Sequence, residues 1–366
     1  MSDSPMERSS ELEDSGYSSA QASIEYRESL LADVRRGRLA ELRDSVYNKY
    51  YGITDRFWQG ESFQELEPAI RDLWFAFHVW ARNISHETPE HDRMVLDFTR
   101  LHLSGPLQRL VQVSDHEFEV AQSPTGAVLW GDVPFFLEDT TAYFIQHFPT
   151  MKADRRLNFT YFVAKVASTG LLQDRLAEVG LLTFREALET DRPLGSLNHP
   201  PDSSRPAQTL SDLPIAAFLP AIRAWIFECG RRLINLCDVS WIACDTSLGR
   251  GGPLFLQATE LSRKAPVGLS AERWLFWIKR VDQIHEQATQ AQETKLAEEA
   301  WVTLELMLNP LEYRDSPVSR AYKAAPDDFI RVKWPEFWAS QMLVEEEDIE
   351  AREDEPEKPL LGEDQT

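Results

Sequence analysis

The segment LSAERWLFWIKRVDQIHEQ, residues 269–287, fixes more about the fold of this 366-residue chain than any other. Ser270 is placed to cap a helix, Leu269 and Trp274 have the spacing of a hydrophobic staple, and Glu272 sits where the helix dipole favours an anion. At about 100° per residue, Trp274, Trp277, Ile278, Val281, Ile284 and Ala288 fall within an arc of roughly 120°. Leu275 and Phe276 lie off that arc. The first turns are therefore expected to be covered on more than one side, while the later turns emerge into solvent. The dense aromatics read as core, with a ligand or partner platform as the alternative.

The same periodicity runs through most of the chain. Ser62-Phe63-Gln64-Glu65 has the form of a capping box, with Pro68 expected in the first turn, and Thr88-Pro89-Glu90 opens a further helix that LSGP (103–106) closes. Helical patterns follow over 134–148, 154–169 and 174–189. Residues 190–210, rich in Pro and Ser, predict a loop. Leu213–Trp241 predicts an apolar helix entered at Pro214 and interrupted near Pro220. SLGRGGPL (247–254) predicts another loop, and 270–307 is long enough for two helices ending at Asn309-Pro310. FEVA and AVLW are the few strand-like runs, short and isolated. The fold class is thus all-α: a multi-helix single domain over 23–344, with a solenoid-like arrangement left open.

Both ends differ from this body. Residues 1–22 are Ser-rich and acidic with few large apolar side chains, and 345–366 hold eleven acidic residues against Arg352 and Lys358. Ordering such stretches costs backbone entropy with little burial in return, so both are expected to be disordered acidic tails. The formal net charge of −22 opposes binding to nucleic acid or to anionic membranes. Three cysteines, no secretory signal and no apolar span predict a protein of a reducing compartment, the cytoplasm or alternatively the nucleus. Asn83-Ile84-Ser85 and Asn158-Phe159-Thr160 then match the glycosylation pattern by chance.

No arrangement points to chemistry. Cys229, Cys237 and Cys244 share an arc if 225–244 is one helix, but Cys229 and Cys237 would lie about 12 Å apart along it, too far for a disulfide or one shared metal; they read as core. His86 and His91 are five apart rather than at the spacing of a zinc helix, and read as turn or surface residues. LGRGGP lacks the Lys-Ser/Thr of a phosphate-binding loop and reads as a plain glycine loop. Arg273, within a buried-looking turn, predicts a structural ion pair, with anion binding as the alternative. No catalytic, cofactor-binding or metal-binding residue and no cofactor is assigned.

LSAERWLFWIKR also resembles the Gly/Leu-Ser-x-Glu-Arg-Trp-x-Phe-Trp segment of a family of uncharacterised filamentous-fungal proteins carrying a domain of unknown function. LWFAFHVWARNISHETPEHDRMVLDF and NFTYFVAKVASTGLL leading to FREALE extend the resemblance over roughly 70–285. It implies a mainly helical fold and supplies no activity, ligand or catalytic residue. The expected function is an interaction or scaffold module with a protein partner, and the alternative is an enzyme or small-molecule binder with a pocket between helices.

Overall fold

In the computed structural model the Ser270 hydroxyl accepts a hydrogen bond from the Arg273 backbone amide at 3.2 Å and opens a helix over Ala271–Gln290. All six residues of the expected stripe are fully buried, and Leu275 and Phe276 beside them are buried as well. The structure describes residues 5–110, 117–198, 208–326 and 329, with side chains described from Ala20 onward. Among these residues the chain is helical: α1 (Pro5–Arg35), α2 (Ala40–Trp58), α3 (Phe63–Asn83), α4 (Pro89–Leu103), α5 (Phe136–His147), α6 (Ala153–Ser168) and α7 (Ala177–Leu188) come first. They are followed by α8 (Ile215–Asp238), three short helices α9 (Thr246–Gly249), α10 (Pro253–Gln257) and α11 (Thr259–Ser262), then α12 (Ala271–Gln290), α13 (Thr294–Glu312) and α14 (Pro317–Lys323). The expected N-terminal tail overlaps the start of α1, and the C-terminal tail lies outside the described residues. The described residues through Lys323 form one compact unit.

Helices α2, α3, α6, α8, α13 and α12 adjoin in that order, so helices distant in sequence become neighbours. A solenoid, in which each repeat touches the next in the chain, does not have this order. The core on the α3 side is aromatic: Trp74, Phe77, Phe98, Phe136 and Phe162 meet ring to ring at centroid distances of 4.5–6.2 Å. Trp225, Trp274 and Trp277, each at most 1% exposed, anchor the α8–α12 side.

The capping box at Ser62 forms in both directions: Glu65 N–H donates to the Ser62 hydroxyl, and Ser62 N–H donates to the Glu65 carboxylate at 2.7 Å. Several expectations need correction. Because α3 starts at Phe63, Pro68 occupies its sixth position rather than its first turn, and Pro220 occupies the sixth position of an unbroken α8. Each proline removes one hydrogen bond near a helix start, which the flanking turns tolerate. Thr88 precedes α4 but does not cap it, since its hydroxyl donates backward to the Ser85 carbonyl at 2.8 Å. The stretch 247–254 is flanked and partly formed by α9 and α10 rather than being all loop, and α13 continues through Asn309-Pro310 to Glu312. Finally, FEVA and AVLW are not isolated: Gln108–Leu110 (β1) pairs antiparallel with Phe118–Val120 (β2), and Leu129 N–H donates to Ala121 O at 2.8 Å to add AVLW alongside.

Candidate functional site

Arg273 has no donor left for a ligand. Its Nε and Nη2 donate to the two carboxylate oxygens of Glu189 at 2.5 and 2.8 Å, Nη1 donates to Gly249 O and Gly268 O, and Nη2 also reaches Leu248 O. That uses all five guanidinium N–H groups. Glu189 is equally engaged, accepting from Trp277 Nε1 at 2.7 Å and from the Gly252 amide at 2.6 Å. The glycine loop therefore wraps a buried ion pair. A Cβ at Gly252 would lie 2.7 Å from Glu189 O, and one at Gly268, with φ of +97°, would strike Trp241 O. The expected structural pair is present and the anion-binding alternative is overturned.

The remaining candidates are dispersed. Cys229 and Cys237 are buried in α8, and burial raises the Cys229 thiol to about 12 and the Cys237 thiol likewise upward. Cys244 lies beyond the end of α8 and is half-exposed, because that helix stops at Asp238. The expectation of turn or surface histidines holds for His86, in the turn before α4, but not for His91. His91 is fully buried, its Nε2–H donating to Asn158 O at 3.0 Å, and desolvation lowers its pKa to about 4. His86 donates from Nδ1 to the Asn158 side-chain oxygen at 3.0 Å and stacks on Tyr161. Asn158 is thus a buried hub. No group of three or more His, Cys, Asp or Glu among the described residues is arranged to hold a metal ion.

A cleft of about 660 Å³ lies elsewhere, between the segment 130–135 and the turn 170–175. Its walls carry the chain's unusual backbone. Among the described residues, six of the eight non-glycine positions with positive φ fall in these two stretches: Trp130, Val133 and Phe135 on one side, Leu172, Gln173 and Asp174 on the other. Positive φ costs an L-residue roughly 1–2 kcal/mol, and a β-branched residue such as Val133 is a true outlier there. Both stretches are held from outside. The Trp74 indole donates to Pro134 O at 2.8 Å, the Arg71 guanidinium lies 4.0 Å over the Phe135 ring, and Arg71 pairs with Asp139. Across the cleft Arg232 pairs with Asp174, and its guanidinium occupies the space where Gly170 would carry a Cβ.

The lining is mixed. Val133, Pro134, Phe135 and Leu172 supply apolar surface; His102, Ser123, Asp132, Gln173 and Arg175 supply polar groups. Arg175 makes no ion pair with a described residue, and Nδ1 of His102 is buried without a partner. Sequence reasoning missed this site because its backbone is left-handed at residues that carry no glycine or asparagine signature.

Comparison with known proteins places the molecule. A family model described as a protein of unknown function (DUF3632) matches residues 74–281. The chain belongs to this family. It is also similar to a Penicillium oxalicum protein named oxopyrrolidines biosynthesis cluster protein G, with 36% identity over 303 residues, 82% of this chain and 83% of the relative. No solved structure matches it. The match runs from Trp74, whose indole holds the Pro134 carbonyl, to Val281 in α12, so it takes in both walls of the cleft and the Arg273–Glu189 pair. No described helix is long and apolar enough to cross a membrane.

Proposed function

We propose that this member of the family binds a small organic molecule in the cleft between 130–135 and 170–175. The strained backbone on both walls carries the reading: left-handed residues such as Val133 and Gln173 persist only where surrounding structure holds them, and such positions cluster at ligand sites. The volume of about 660 Å³ lies within the range of pockets that take drug-sized ligands. Apolar walls with Arg175, His102 and Asp132 among them suit an amphipathic ligand with at least one polar head. The relative's name, a biosynthesis cluster protein, is in keeping with a ligand from small-molecule biosynthesis.

The protein can be tested against a metabolite extract of Penicillium oxalicum by native mass spectrometry. One small-molecule adduct is expected, and Ala127→Trp, which fills the cleft from its lining, should lose it without lowering the unfolding midpoint. An adduct that survives Ala127→Trp, or no adduct at all, overturns the reading. The interaction-module reading rests on a different observation, the exposed trio Trp58, Leu110 and Phe118 at the hairpin, each more than half accessible. It is supported instead if Phe118→Ser abolishes capture of a protein partner.

A further inference from the structure

Away from the cleft, a pocket of about 180 Å³ lies between the α1–α2 turn, the end of α3 and the start of α6, and it is lined by two guanidiniums, Arg82 and Arg155. Neither forms an ion pair with a described residue, unlike the buried Arg192 and Arg273, which do. Arg82 Nε is buried and has no acceptor. Arg82 also lies 5.7 Å from the ring of Tyr143, a residue only 4% exposed whose hydroxyl is a further buried group without a partner. Both guanidiniums are close enough to Tyr143 to act on its phenol electrostatically. The pocket therefore holds two guanidiniums against the single carboxylate of Asp154, and a buried donor such as Arg82 Nε is normally satisfied. Helix α6 opens at this pocket: its first-turn residues Asp154 and Arg155 line it, and Lys152 makes no side-chain cap.

We infer that this pocket is a binding site for a phosphate-type oxyanion, held by Arg82 and Arg155 at the start of α6. The volume accommodates one tetrahedral anion with a little water. Asp154 lines the same pocket, and its carboxylate sharpens the chemistry. A carboxylate repels an anion that carries no proton but accepts a hydrogen bond from the P–OH of hydrogen phosphate or of a singly ionised phosphomonoester. The site is thus expected to prefer phosphate over sulfate.

Isothermal titration of the full chain with inorganic phosphate, at ionic strength held constant with chloride, tests this. Saturable binding is expected, weakened about tenfold or more in Arg82→Gln and in Arg155→Gln, since each loses a charge-assisted, fork-like contact. Sulfate should bind more weakly than phosphate, and Asp154→Asn should erase that difference. Circular dichroism and the unfolding midpoint in chloride buffer establish that each variant is folded, and Arg155→Lys, which keeps the charge, should retain part of the affinity. Phenyl phosphate binding tighter than inorganic phosphate would assign the site to the phosphate group of a larger molecule, and equal or weaker binding to the free ion. No saturable heat with phosphate, or equal binding by folded Arg82→Gln and Arg155→Gln, overturns the inference.

Discussion

Arg273 and Glu189 show how one buried pair can fix several segments at once. The carboxylate at the end of α7 receives the guanidinium from α12, the indole of Trp277 one turn later, and the amide of Gly252 from the loop before α10. Each partner is at most 1% exposed, so neither charge has water to fall back on. Removing one charge while keeping its shape should therefore cost more than the pair contributes: Glu189→Gln leaves a buried cation and is expected to lower stability by about 3–5 kcal/mol in denaturant unfolding. A change under about 1 kcal/mol would mean that water reaches the site. The sequence placed Arg273 in a buried turn and named an ion pair, but Glu189 is 84 residues away, and local patterns carry no information on such a partner.

Two histidines give the same residue-scale logic a pH axis. His78 is fully buried beneath α5; because Thr140 donates its hydroxyl proton to Phe136 O, its oxygen accepts from His78 Nε2–H, and the ring is held neutral. Burial, with the nearby charges of His147 and Arg82, lowers the His78 pKa to about 3, and burial likewise brings His91 to about 4. Both values lie below the ordinary 6.5, so the unfolded chain binds more protons than the folded one between about pH 4 and 6.5. Stability is then fully present above about pH 6.5 and falls as the pH drops toward 4. Because a tenfold change in a protonation equilibrium is worth about 1.4 kcal/mol, either ring is expected to contribute on the order of 3 kcal/mol to that fall. His91→Gln should flatten the slope of unfolding free energy against pH between 4 and 6.5; an unchanged slope would show that His91 is not held neutral in the fold.

At the scale of elements, what was legible followed from chemistry that lies within a few residues. Ser62 and Glu65 complete their capping box inside a single turn, and Ser270 caps α12 in the same way, so both starts could be read from the sequence. Ser62→Ala is expected to cost about 1 kcal/mol, by loss of the bond to the Glu65 amide, with circular dichroism of the folded state unchanged. A cost near zero would mean that water replaces the cap, which is accessible at this surface position. Helix ends were harder where proline was read as a stop. Pro220 and Pro310 both lie inside helices, because one lost hydrogen bond near an end is outweighed by the burial of neighbours such as Phe218 and Leu311. The hairpin and the cleft were illegible for a different reason. FEVA is paired by Gln108–Leu110, a segment with no strand signal of its own. Val133 and Gln173 adopt backbone conformations that their own side chains disfavour, so tertiary contacts from Trp74, Arg71 and Arg232 set them.

At the scale of the whole molecule, charge is the property that the fold absorbs least. Many cations of the compact unit are already paired, as Arg27 and Lys49 are on Asp72, and Arg43 and Arg100 on Asp97. A large share of the acidic excess lies at the C-terminal end, where 345–366 carry a net −9 of the total −22. On the reading that this stretch adds no packed structure, it contributes repulsion and little burial. Deletion of 345–366 is then expected to leave the denaturant midpoint unchanged or to raise it slightly. The rise should be larger at low ionic strength and vanish near 0.15 M salt, where charges more than about 8 Å apart are screened. Unfolding of the deletion variant and the full chain at both salt levels separates repulsion from contact: a midpoint that falls on deletion, at either salt level, would mean that the acidic stretch docks on the helical unit and stabilises it.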